Sequence, residues 1–145
     1  MAETENLRFY LIKITTDEFA TIGPTLFLGS DWQMKIELKF DFAEGRVIIV
    51  QAKCTFEQQG KPWLVVAASC YFQIVEEDWV RIYSEENKKI SLKRPHAAHL
   101  ASFSVGTVRG ITHAKTEKMA INSIIVPPIS LPEIIKEDLL VVQTN

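Results

Sequence analysis

The chain is poor in several things at once, and each lack removes a class of function. Of its 145 residues two are cysteine, Cys54 and Cys70, too few for a disulfide framework. Basic charge is not in excess: Lys and Arg number 16 against 18 Asp and Glu, a formal net charge of −2. A nucleic-acid binder would show a basic stripe, and none is present. No apolar run approaches the ~20 residues that span a bilayer as a helix. The opening Met-Ala-Glu-Thr-Glu-Asn is acidic and has no apolar core of a signal peptide, so the expected compartment is the cytoplasm. Glycine-rich phosphate loops, a nucleophile elbow and a Cys–His pair are all missing from the text of the sequence. One domain is expected, with roughly 70% of the unfolded surface buried on folding.

What the chain does have is a stretch of strong period-two patterning from Trp32 to Ile74. Side chains on a strand alternate between faces. Met34, Ile36, Leu38, Phe40 and Phe42 are the even positions of the first run, and Lys35, Glu37, Lys39 and Asp41 the odd ones. The same parity recurs at Ile48, Val50, Ala52, Cys54 and Phe56, and again at Leu64, Val66, Ala68, Cys70, Phe72 and Ile74. Even positions of neighbouring strands share a face only if the loops between them hold an odd number of residues. Ala43-Glu44-Gly45 and Gln58-Gln59-Gly60 supply three-residue loops, each ending in a glycine for the left-handed position. An antiparallel meander of three strands follows.

Apart from two thiols the even face carries no ionisable group, so it offers no acid, base or nucleophile for catalysis. It reads as a core seam to be covered by helices. In this register the two cysteines lie six residues apart along the ladder, roughly 20 Å at ~3.3 Å per residue, beyond the ~7 Å reach of a disulfide. They read as small buried hydrophobes. The odd face is charged on the first strand, mixed on the second, and rather apolar on the third, where Trp63, Val65, Ala67 and Tyr71 call for a second cover.

Ahead of the meander, Leu7 to Thr16 reads as another strand with weaker alternation, suited to a strand partly covered on both faces or lying at a subunit boundary. Asp17 to Asp31, broken by Gly23-Pro24 and Gly29, is too long for a hairpin and implies a crossover. After the meander, Glu76 to Pro95 balances five acidic against five basic residues and reads as a solvated linker, with Trp79, Ile82 and Tyr83 available for a lid or groove wall. His96 to about Thr116 is the main helix, its stripe Leu100, Phe103, Thr107 and Ile111 expected to cover the sheet. A row of small residues, Ala98, Ser102, Gly106, Gly110 and Ala114, repeats every four positions. Such a ridge admits a second backbone at close range, and a helix contact between subunits is the reading adopted for it. Ser130, Pro132 and Glu133 begin a short second helix in capping-box spacing, and Leu139 to Val142 is an apolar tail expected to dock.

Two constellations invite chemistry and both have plain alternatives. His96 and His99 stand one helical turn apart, but a metal site needs further ligands and His113 alone could add one; no metal and no cofactor are expected. Glu76, Glu77 and Asp78 are adjacent carboxylates of the kind usually just solvated, so no enzyme is expected.

The chain resembles the bacterial export chaperone SecB and its relatives over roughly residues 9 to 136. The resemblance is carried by Phe9-Tyr10-Leu11-Ile12-Lys13-Ile14, by Asp31-Trp32-Gln33, by Ile36, Leu38 and Phe40, and by Cys70-Tyr71-Phe72-Gln73-Ile74. Val108-Arg109-Gly110 and Ile125-Val126-Pro127-Pro128-Ile129 complete it in the right order and spacing. It implies an α+β fold, a four-stranded antiparallel sheet in the order 1-4-3-2 with two helices on one face. It also implies a homo-oligomer, a dimer of dimers with the long helices between sheets, that holds non-native polypeptides without ATP in apolar grooves. By correspondence the client-binding residues are Trp32, Ile36, Leu38, Phe40 and Leu131; the composition of the crossover adds Phe27 and Leu28. The family's acidic dock for the motor SecA is replaced by the balanced Lys35, Glu37, Lys39, Asp41, and its polar tail by an apolar one. Both departures count against SecA delivery and leave client holding untouched. Three classes of function follow: a general holdase, a module dedicated to one partner as in toxin–antitoxin-linked relatives, and, last, a small-molecule or enzymatic domain that would need a polar pocket in the core seam.

Overall fold

A computed structural model describes residues 6–22, 32–118 and 125–143. Strands β1 (Phe9–Thr21), β2 (Trp32–Ala43), β3 (Val47–Gln58) and β4 (Lys61–Ile74) form an antiparallel sheet in the order β1-β4-β3-β2. The fold is α+β with the strand order expected, β1 and β2 standing at opposite edges of the sheet. The even positions of β3 and β4, from Ile48 to Phe56 and from Leu64 to Ile74, are all fully buried. At ~25 cal/mol per Å² of apolar surface, that continuous face is the main source of stability.

Parity holds, but the registers differ from those read off the loops. The first loop is Glu44-Gly45-Arg46, one residue later than expected, closed by the pair Ala43 and Val47. Gly45 (φ 87°) and Arg46 (φ 63°) are both left-handed. Arg46 holds this strained shape because its Nε donates to the Ile74 carbonyl at 3.0 Å while its own carbonyl accepts from Ile74 N–H at 2.8 Å. The second loop is a two-residue turn, Gln59 (φ 53°) and Gly60 (φ 76°), closed by Gln58 and Lys61. A two-residue turn would flip the parity of β4, and a bulge between the pairs Phe56–Leu64 and Glu57–Pro62 restores it. The bulge also swings Trp63 off the odd face: its ring lies 5.6 Å from Phe56, in the core. In the true register Cys54 faces Val66 and Cys70 faces Val50. The cysteines are therefore about 13 Å apart along the ladder, closer than expected, and both are free and buried.

The weak alternation of β1 has a cause. Its pairing with β4 slips between Leu11 and Lys13 and again between Thr16 and Glu18. Each slip inverts the parity, so Phe9 and Leu11, then Ile14 and Thr16, then Phe19 and Thr21 share the helix side. On the odd face the apolar centre of β4 is shielded, among the described residues, by side chains from the strands beside it. Glu18 and Lys53 flank Ala67 in register and pair across it at 3.6 Å. Lys13 lies over the Tyr71 ring at 5.1 Å.

The segment read as a solvated linker is structured. It forms α1 (Glu76–Ile82), β5 (Tyr83–Ser84) and β6 (Lys89–Leu92), and β6 pairs in turn with β7 (Leu139–Val142). Ile90 and Leu92 are fully buried, and the apolar tail docks as the third strand of this small sheet. The main helix α2 (Arg94–Thr116) lies across β3 and β4. It meets them through Ala97, Ala101, Ser104, Val105, Val108 and Thr112, with Leu100 the one residue of the expected stripe that is buried. Small side chains suit that contact because the sheet already contributes Ile48, Val50 and Phe72. Ser104 Oγ donates to the Val50 carbonyl at 2.7 Å, satisfying a buried hydroxyl. Helix α3 (Leu131–Ile134) is one turn; Ser130 precedes it without a side-chain cap.

Candidate functional site

The helix layer leaves two margins of the sheet uncovered, because α2 sits over its two central strands. On the β2 margin the even residues Met34, Ile36, Leu38 and Phe40 are half buried, and β7 lies against part of the strand. Trp32, at the start of β2, is 38% exposed, its ring 5.7 Å from Phe56. Trp63 packs on the other side of Phe56, and its buried Nε1 has no hydrogen-bond partner among the described residues. The pairing of β2 with β3 runs without interruption from Trp32 to Ala43. Trp32, Ile36, Leu38 and Phe40 therefore form one row on one face.

The remaining expected contact residues do not join that row in the same way. Leu131 is 8% exposed and belongs to the core with Val126 and Ile135, so its side chain is already enclosed by the protein. Phe27 and Leu28 lie outside the described residues. Arg109 joins the two motifs near the chain's end: its Nε and Nη2 donate to the carbonyls of Val126 and Pro127 at 3.1 and 3.2 Å, pinning that segment to α2. Arg94 does the same at the other end of α2, to Ile135 and Pro132 at 2.7 and 2.6 Å.

On the opposite margin, the apolar residues of β1 stand out more than composition suggested. Tyr10 is 66% exposed, Leu11 42%, and Ile12 and Ile14 51% each. Phe103, on the flank of α2 facing β1, is exposed too, 5.7 Å from Phe9. The sequence marks this strand only as one partly covered on both faces or at a subunit boundary, because the bulges at Ile12 and Asp17 hide its period. The signal available was Leu11-Ile12, two adjacent large aliphatics that no regular strand can bury on one side. The ridge of α2 also faces outward: Ser102, Gly106, Gly110 and Ala114 are exposed and Ala98 half buried. A Cβ on Gly106 or Gly110 would meet nothing within 4 Å, so the ridge does not serve packing onto the chain's own sheet.

The groups that invited catalysis are structurally engaged. Asp78 is 2% exposed, not solvated. It accepts from Arg8 Nε at 3.0 Å, Arg8 Nη2 at 3.1 Å and the Arg8 amide at 2.8 Å, and also pairs with Arg81. The Arg8 side chain foremost holds this carboxyl far below the usual carboxylate range, against the opposing effect of burial. Burial tends to raise the Asp17 carboxyl, and hydrogen bonds from Gln51, Ser69 and Thr15 overcome this and lower it. Burial pushes the Cys54 thiol up to about 11. His99 packs by its ring against Phe9 and Phe103, at 5.6 and 5.5 Å. Among the described residues no three His, Cys, Asp or Glu side chains group as metal ligands, and no helix is long and apolar enough to cross a membrane.

No family model and no curated protein matches the chain in sequence. Among solved structures it is similar to the SecB-like chaperone Rv1957 of Mycobacterium tuberculosis, in complex with a ChAD peptide from the Rv1956 HigA1 antitoxin. That likeness has a TM-score of 0.55 at 12% identity and covers 84% of this chain and 91% of the other. A protein of unknown function from Streptococcus agalactiae aligns with a TM-score of 0.48 at 14% identity, covering 87% of this chain and 100% of that one. The chain thus shares the fold of that SecB-like structure.

Proposed function

We propose that this protein is a cytoplasmic, ATP-independent holdase that binds non-native polypeptides along the β2 margin and works as a homo-oligomer. The observation that carries the reading is the row Trp32, Met34, Ile36, Leu38 and Phe40. It is apolar, free of ionisable groups, held on an edge strand paired without interruption to β3 and left partly open to water. A regular sheet gains nothing for its own stability by leaving such a row half covered, whereas an extended apolar segment of another chain would complete it. The outer ridge of α2, Ala98, Ser102, Gly106, Gly110 and Ala114, is the interface proposed between copies. The odd face of β2 alternates Lys35, Glu37, Lys39 and Asp41, with Lys35 paired to Glu57 at 3.4 Å. It presents no acidic patch, so delivery to SecA forms no part of the reading. The enclosed face of the sheet holds no carboxylate, histidine or lysine, which supports a binding rather than a catalytic role.

A second reading has its own support. The structural neighbour was solved with a peptide of an antitoxin, so a module devoted to one partner is consistent with the same surface. Suppression of aggregation decides between them. Under the holdase reading, substoichiometric to equimolar protein keeps several unrelated denatured proteins in solution, and Trp32→Ala with Leu38→Ser weakens all of them alike. Protection of one partner and of nothing else would replace the general reading with the dedicated one. No binding of any unfolded chain would overturn both.

A further inference from the structure

The row on β2 does not simply stop. Its last even residue, Phe42, forms the floor of a pocket of about 210 Å³ at the turn end of the strand, bounded also by Trp79, Tyr83, Arg46, Glu44 and Gln143. The Trp79 and Tyr83 rings stack at 5.3 Å with an interplanar angle of 18°. Phe42 meets both nearly edge-on, at 6.0 and 5.9 Å. Phe42 is 4% exposed while the other two rings are half buried, so the stack keeps surface for a visitor. At its volume the pocket falls below the ~300–1,000 Å³ typical of sites that enclose a whole small ligand. It is the size for one large side chain.

The rim supports a side chain that belongs to a polypeptide. Arg46 is fixed by its Nε bond to Ile74, and its two Nη atoms have no partner among the described residues. The Gln143 side-chain amide beside it is likewise without one. Donors over an aromatic floor match the carbonyls of a backbone whose side chain points inward. Unbroken pairing of β2 with β3 places Trp32 and Phe42 on one face, about ten residues and roughly 33 Å apart at ~3.3 Å per residue.

We propose that this pocket, Phe42–Trp79–Tyr83, takes an aromatic side chain of a bound polypeptide and so forms a second anchor beyond the one at Trp32. The inference rests on the polypeptide-holding role proposed above. It adds a spacing rule: an extended segment with aromatic residues about ten apart reaches both anchors, and one with a spacing of about five does not. Linking two contacts in one chain raises affinity without new chemistry.

Fluorescence anisotropy with dye-labelled unstructured peptides tests it. The peptides carry one Trp, two Trp about ten residues apart, or two about five apart. The wider pair is expected to bind roughly tenfold more tightly than either of the others. Tyr83→Ala, which removes a wall, and Gln143→Trp, which fills the pocket from its rim, are each expected to erase that advantage, so that the wide pair binds no more tightly than the single-Trp peptide. Equal affinity for all three peptides, weakened by Trp32→Ala, would overturn the second anchor while the holding role stands. An advantage that survives in both pocket variants would overturn it too. Failure of every peptide to bind would remove the holding role and this proposal with it.

Discussion

Gln59 is the residue where local preference and fold disagree most openly. It occupies a left-handed position, φ 53°, at the first site of a two-residue turn whose second site is Gly60. A side chain there costs about 1 kcal/mol, and asparagine bears it better because its short amide bonds locally. Gln59→Asn is expected to raise stability by roughly 0.5–1 kcal/mol in denaturant titrations, with no change in binding. The thiols give a second expectation. Cys54, pushed up to about 11 by burial, and Cys70 are both fully enclosed, so neither should react with an aromatic disulfide reagent at pH 8 until denaturant is added. Their burial was legible from parity alone. Their spacing was not, because the turn and the bulge at Trp63 shift the register by compensating steps that leave the hydrophobic pattern unaltered.

Between elements, the clamp of Asp78 on Arg8 ties the start of the chain to α1. Nothing in three consecutive acidic residues distinguishes the buried one; only the arrival of Arg8 from seventy positions away does. The folded carboxyl sits below its ordinary value near 4, so its contribution is complete above that value. It is lost as pH falls through and below it, towards the depressed folded value. Asp78→Asn is expected to cost about 3 kcal/mol near neutral pH, the low end for breaking a buried pair because both arginines also reach water. The stability gap between variant and parent should close as the solution is acidified below pH 4. A gap independent of pH would reject the clamp as its origin. The linker reading failed for a related reason: Lys89-Ile90-Ser91-Leu92 is strand-like, but its partner β7 lies some fifty residues away, so its charge looked solvated. The rotation of α2 escaped the sequence because bulk alone marks Phe103 and Ile111, whereas the sheet below has room for Ala97 and Ala101.

For the molecule as a whole, the meander and the docked tail were readable, since period-two patterning and loop length act locally. The crossover was readable and agrees with the strand order, but β1 runs on to Thr21, past the Asp17 at which the sequence places its end. The open surfaces were readable only in part. Alternation places Ile36, Leu38 and Phe40 on the core seam, and only the resemblance marks them, with Trp32, as an open surface. The exposed flank of β1 is hidden by its bulges, and Leu131 is drawn inward by the packing of α3. Glycine on an outward ridge costs about 1 kcal/mol relative to alanine at each position, and Gly106 and Gly110 have open space around them in the single chain. If copies meet there, Gly106→Leu should reduce the mass measured by light scattering without unfolding the protomer. Unchanged mass would remove the ridge from the interface.

The two slips along β1 carry one more consequence. An approaching strand that zipped onto its outer edge would fall out of step at Ile12 and again at Asp17, so ribbon growth by repeated edge addition is interrupted within every few residues. A sheet with apolar residues along both margins is thereby kept from recruiting further strands at that edge.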